Sequence, residues 1–163
     1  MASKYKHRDE APIVGLPEWP DGSHRIVVGV DGSDSSIAAL GWAARQAELT
    51  KVNLQVVTSW EWPAAVGWAA APVPGDYQPA EDAQRLLDQV VEPVRAAHPT
   101  LGILTTVVEG HPAQVLVEAS QGADILVVGS RGRGQFAGMI LGSVSEHCTA
   151  SAHCPVLVLH EAS

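Results

Sequence analysis

Cysteine is almost missing from this chain. Its 163 residues include two, Cys148 and Cys154. That is too few for a disulfide framework, and a cytoplasmic protein with reduced thiols is the simplest expectation. Long apolar runs are missing too. No stretch reaches 18 apolar residues, so no transmembrane helix and no membrane role are expected. Met1 to Glu10 is polar and lacks the apolar region of a secretory signal. Positive charge is scarce: ten Lys and Arg stand against 18 Asp and Glu, for a net charge of −8. Such a chain repels phosphate backbones overall, which disfavours nucleic acid as a partner. Aromatic residues are few beyond five Trp. Small aliphatics must therefore fill the core, as they do in a sheet covered on both faces. A catalytic grouping is also missing, since no His is placed by the sequence to activate a Ser.

What is present suits one domain with a proper core: 46% of the residues are apolar and 17% charged. Residues 1–24 mix charges with Pro12, Pro17 and Pro20 and show no periodicity. They read as a flexible tail, with Trp19 resting on the domain, and 25–163 as the single domain. Short apolar runs then alternate with helical patterns. Arg25–Val30, Val52–Trp60, Ile103–Val108, Asp124–Val128 and Val156–His160 read as strands. A helix capped by Ser33 or Ser35 follows the first, with Ile37, Leu40, Gly41, Ala44 and Ala47 as its inward positions. Glu81–Ala97 reads as the second helix, with a kink or irregular turn expected at Pro93. Pro112 opens a third, facing inward through Val115, Leu116 and Ala119. Glu61–Ala80 between them is rich in Pro and Ala, yet carries Trp62, Trp68 and Tyr77, which argues that part of it packs. This alternation of strand and helix means an α/β protein with a parallel sheet between two helical layers.

The densest signal lies after the fourth strand. The apolar run Ile125–Val128 ends at Gly129, and Gly132, Gly134, Gly138 and Gly142 follow. Ser143, with Glu146 three positions on, reads as the cap of a last helix. A strand that feeds a glycine loop ending at a helix N-terminus is a place for an anion, because unpaired N–H groups and the positive dipole end meet there. Two nucleotide motifs are excluded by the letters. No Lys precedes Ser143, so there is no Walker A loop, and Gly132-x-Gly134-x3-Gly138 has one residue too many for the dinucleotide fingerprint. Arg131 and Arg133 lie in the loop with no acid between Gly129 and Gly142, a local positive spot suited to phosphate. His147, Cys148, His153 and Cys154 are better explained as a packed helix face and a strand start than as a zinc site, since His147 and Cys148 point apart on a helix.

The spacing Gly129-x2-Gly132-x9-Gly142-Ser143 resembles the nucleotide-binding signature of the universal stress protein family, in its ATP-binding branch. Ile26–Ser33 resembles that family's first strand and acidic turn, and Pro155–Leu159 its last strand, so the likeness covers roughly residues 25–160. It implies a Rossmann-like three-layer sandwich with five parallel strands in the order 3-2-1-4-5. Strand 1 then neighbours strand 4, chain direction reverses between them, and the crevice lies at their carboxyl ends.

The resemblance also implies ATP with Mg²⁺ as ligand and a homodimer through strand 5. Gly129 would belong to the binding site, and Gly132 and Gly142 would let backbone amides approach phosphate oxygens. Ser143 and Ser145 would add hydroxyls, and the amides of Ser143 and Val144 the helix-end contacts. Asp31 would accept from ribose hydroxyls or hold Mg²⁺ through water. Adenine would lie over the end of strand 2 near Ser59, against a wall of Gly29, Val30 and Val128. A nucleotide-binding stress or signalling module follows, with a slow ATPase or nucleotidyl-transfer enzyme, or a cyclic-nucleotide binder, as the alternatives.

Overall fold

The computed structural model describes residues 15–20, 22–62, 78–132 and 141–160. Five strands and four helices alternate along them: β1 (Arg25–Gly29), α1 (Asp34–Thr50), β2 (Asn53–Trp60), α2 (Pro79–Ala97), β3 (Ile103–Glu109), α3 (Pro112–Ala119), β4 (Ile125–Gly129), α4 (Ser143–Ser151) and β5 (Val156–Leu159). The strands form one sheet in the order β3-β2-β1-β4-β5, and every pairing is parallel. Each strand begins or ends within a residue or so of its expected bound, because an apolar run flanked by Gly or polar residues leaves little freedom in placing it. Of the loop expected at Glu61–Ala80, residues 63–77, with Trp68 and Tyr77, lie outside the described residues.

Side chains alternate across the central strands and give two cores. Ile26, Val28, Leu54, Val56 and Val127 point to one face, where Leu40 and the alanines of α1 meet Leu87 and Val91 of α2. Val27, Val57, Leu126 and Val128 point to the other, where Val115, Leu116 and Ala119 of α3 and Cys148 of α4 lie. This near-continuous aliphatic content is what a parallel sheet buried on both sides requires. Among the described residues no helix is long and apolar enough to cross a membrane.

Three local expectations need correcting. The buried stripe of α1 runs through Ser36, Ala39, Leu40, Ala43, Ala44 and Ala47, while Ile37 is 45% exposed and Gly41 only half-buried. Small side chains are selected there because α1 sits almost on the sheet. A Cβ on Gly129 would lie 2.7 Å from the carbonyl carbon of Ser35 and 2.8 Å from the amide of Ser36. Second, α2 starts at Pro79, two residues before the expected Glu81, and the helix is continuous through Pro93 to Ala97. Pro93 leaves the carbonyl of Gln89 without its helical donor, and Gln89 is exposed, where water satisfies it. Third, the cap of α4 is Gly142, not Ser143.

Candidate functional site

The carboxyl ends of β1, β2 and β4 and the first turns of α3 and α4 enclose a cavity of about 430 Å³. Gly29, Val30 and Asp31 enter it from β1, Ser59 from β2, and Val128 and Gly129 from β4. Arg131, Gly132, Gly142, Ser143, Val144 and Ser145 enter from the glycine loop and the start of α4. Of the residues picked from the sequence, Arg133 lies outside the described residues, together with Gly134 and Gly138; all the others line this one space. The order of the strands brings them together, since β1 and β4 are neighbours through Ile26↔Ile125, Leu126↔Val27 and Val28↔Val127.

The acidic turn is built from Asp31 outward. Its Oδ1 accepts from the Ser33 amide at 3.0 Å and the Ser33 hydroxyl at 2.6 Å, and Gly32 takes φ 83° to close the turn. Ser33 in turn caps α1, accepting from the Ser36 amide at 3.3 Å. The second oxygen of Asp31 faces the loop: a Cβ on Gly132 would come within 2.8 Å of Oδ2. A side chain at 132 would therefore have to displace the Asp31 carboxylate, not backbone.

The three glycines of the signature do different work. Gly129 has no room for a side chain because α1 lies against it. Gly142 is different: its φ is −73°, and the atoms nearest to an added Cβ would be 3.5–3.6 Å away, an ordinary contact. The chain itself does not require glycine at 142.

What Gly142 leaves is an uncapped helix start. The Gly142 amide donates to the Ser130 carbonyl at 2.7 Å, and its own carbonyl accepts from Glu146 at 2.9 Å, which begins α4. The amides of Ser143, Val144 and Ser145 have no acceptor within the helix, the cap residue Gly142 has no side chain to offer, and among the described residues no side chain caps them. They sit at the positive end of the α4 dipole, in the cavity wall.

The hydroxyls on α4 divide. Ser143 is exposed, whereas Ser145 is 3% exposed and donates to the Gly129 carbonyl at 2.6 Å. In this conformation the Ser145 proton ties α4 to β4, so the expected hydroxyl donation to phosphate falls to Ser143 and leaves Ser145 its amide and lone pairs. Arg131 is exposed at the rim, and its carbonyl accepts from the Ser35 hydroxyl, which pins the loop to α1.

The sequence reading missed one wall altogether. Pro112, Val115 and Leu116 of α3 line the cavity, as do Val57 and Thr58 of β2 and Ser36 of α1. The signal was there in principle, because in a parallel α/β sheet every helix starts at the carboxyl end of the strand before it, so the first turns of α3 must border the crevice. Burial raises the thiol pKa of Cys148, on the buried side of α4, to about 11, and desolvation also raises that of Cys154, against the Leu126 amide and the Arg25 charge. Among the described residues no group of three or more His, Cys, Asp or Glu is arranged to hold a metal ion.

Comparison with known proteins converges on one family. The family model described as "Universal stress protein family" matches residues 22–160. A universal stress protein of Mycobacterium tuberculosis is 36% identical over 142 residues, 83% of this chain and 45% of the relative. The chain thus spans about half the length of the curated relatives it matches. Among solved structures, a universal stress protein in complex with cAMP is 30% identical, with a TM-score of 0.65 over 86% of this chain and 98% of that one. A universal stress protein of Archaeoglobus fulgidus in complex with dAMP shares the fold at a TM-score of 0.60, with 24% identity over 83% of this chain and 97% of that one. With the strand order and the glycine spacing already in place, these matches settle the assignment: the chain belongs to the universal stress protein family.

Proposed function

We propose that the carboxyl-end cavity binds an adenine nucleotide, ATP with Mg²⁺ in the first instance, and that the bound state governs the interactions of a cytoplasmic stress-response module. The observation that carries this reading is the α4 start, three amides without a side-chain cap opening into a cavity between Gly132 and Gly142. Phosphate oxygens would meet the amides of Ser143 and Val144, the Ser143 hydroxyl and the Arg131 charge. The adenine would lie against Gly29, Val30, Val128 and the α3 wall, near Ser59. The donor set suits Mg²⁺ in its usual nucleotide-bound form, with one carboxylate, Asp31, and the remaining oxygens from phosphate and water. A cyclic nucleotide is the second reading, favoured by the 30%-identical structure described as a complex with cAMP. Mass spectrometry of ligand released by heat from freshly purified protein tests both: an adenine nucleotide at near one per chain supports the reading, and its identity separates ATP from cAMP.

The same proposal includes a symmetric homodimer through β5. This strand lies at the sheet edge, and Val156, Leu157, Val158 and Leu159 are all half-buried in the single chain. An apolar edge of this kind invites pairing. Sedimentation at tens of micromolar is expected to show a dimer, with Val158→Lys shifting it toward monomer; a wild-type monomer there removes the dimer from the account.

A further inference from the structure

At the amino end of the sheet, opposite the cavity, one buried cation holds several elements together. Arg25 is 4% exposed. Its Nε donates to Gln55 Oε1 at 3.0 Å. Its Nη1 donates to the Gly122 carbonyl at 3.2 Å, and Nη2 to the carbonyls of Ala119 at 3.1 Å and Gln121 at 2.7 Å. Those three carbonyls lie at or just beyond the last residue of α3, where a helix leaves acceptors unpaired and its dipole favours a cation. Over the guanidinium lies the ring of Trp19, 4.8 Å from its central carbon. Trp19 belongs to 15–20, a segment outside the sheet whose Leu16 packs on the α3 side of the core.

The other end of α3 is the cavity wall. Leu116 fills the space that glycine leaves at Gly29, where a Cβ would come within 2.7 Å of Leu116 Cδ1. One strand thus grips α3 twice, through Arg25 at its start and Gly29 at its end. On α3 these grips fall at Leu116 and at the Ala119 end of a helix of only eight residues. A helix this short is not stable alone, and His111 supplies no side-chain cap. Its position depends on its packing, on Ser120 (which accepts from the His153 amide at 2.8 Å) and on Arg25.

We propose that Trp19 and Arg25 are positioning residues for the ligand cavity, acting through α3. The aromatic face shields the guanidinium from water, the shielded guanidinium holds the α3 carboxyl end, and α3 sets Val115 and Leu116 against the ligand. A partner that lifts residues 15–20 loosens the cavity, and by reciprocity a bound ligand tightens the strap. This rests on the nucleotide reading above, but part of its test does not.

The test uses the full chain with Trp19→Ala, Trp19→Leu and Trp19→Phe. Calorimetry with AMP and ATP·Mg²⁺ gives affinity, and hydrogen exchange of the α3 amides without nucleotide gives helix mobility. Trp19→Ala and Trp19→Leu are expected to weaken binding about three- to tenfold and to speed exchange from Val115 to Gly122. Trp19→Phe, which keeps an aromatic face, is expected to restore both to within about twofold. Unchanged affinity and exchange in a folded Trp19→Ala variant overturn the proposal, and a Leu variant that behaves as wild type overturns the shielding step. If the wild type binds neither nucleotide, the nucleotide reading fails and the strap is judged on exchange alone: faster α3 exchange in Trp19→Ala supports it, and unchanged exchange refutes it.

Discussion

The two ends of the sheet handle polar groups in opposite ways. At the amino end Arg25 is buried, and its donors are matched to Gln55 and three carbonyls of the α3 terminus. Gln55 passes the network on to Thr106 at 3.4 Å. At the carboxyl end the polar groups are backbone amides of the α4 start, and what faces them is a cavity. Both ends hold a helix terminus, one matched by a side chain of this chain and the other, among the described residues, by none. A terminus whose partners are all internal supports stability, while one left open at a crevice between β1 and β4 is where a ligand belongs.

Breaking each end should therefore give a different phenotype. Arg25→Met removes the four guanidinium hydrogen bonds at the matched end and is expected to destabilise the fold by about 3 kcal/mol, read from urea unfolding. A shift below about 1 kcal/mol would mean that water replaces the guanidinium freely. Gly142→Glu acts at the open end. Its Cβ fits the space available, and a carboxylate is tolerated at a helix start, so stability should stay near wild type. Two like charges about 4 Å apart repel by roughly 4 kcal/mol at an effective dielectric near 20, so ATP affinity should fall at least about a hundredfold.

Gly129→Ala sharpens the contrast within one motif. The new methyl meets backbone atoms of Ser35 and Ser36 at 2.7–2.8 Å, an overpacking expected to cost about 2 kcal/mol, whereas Gly142→Ala should change thermal stability by less than about 0.5 kcal/mol. Equal losses in the two variants would show that both glycines serve the fold alone. The smallest effect concerns pH. Burial pushes the pKa of the folded Cys148 thiol up to about 11, from an ordinary value of 9.0. Between those values the native state binds more protons than the unfolded state, so stability should fall as pH rises from 9 toward 11. Cys148→Ser, although it costs packing, should flatten that slope.

How much of this was legible in the sequence depended on range. The strand bounds came from local apolar runs, while the strand order, and with it the convergence of Asp31 with Gly129, Gly132 and Gly142 on one space, came from the family likeness. The α1 stripe held at Leu40, Ala44 and Ala47 and failed at Ile37 and Gly41. Close approach to Gly129 instead selects Ser36, Ala39 and Ala43, a demand set by a residue far along the chain. Ser143 looked like the cap because serine favours that role, yet the cap is Gly142 and the amides stay open. Arg25 looked like a strand start and nothing more. Its carbonyl acceptors lie 94 to 97 residues away, and no local pattern points to them. The α3 wall carries no motif at all and follows from topology.

The central claim is that the carboxyl-end cavity binds an adenine nucleotide, and titration calorimetry of nucleotide-free protein tests it most directly. With ATP·Mg²⁺ or cAMP in the cell, the account predicts about one site per chain with micromolar affinity, roughly −8 kcal/mol, and loss of that heat in Gly142→Glu. No heat and no thermal shift with either ligand at millimolar concentration, or undiminished binding by a folded Gly142→Glu variant, would contradict it.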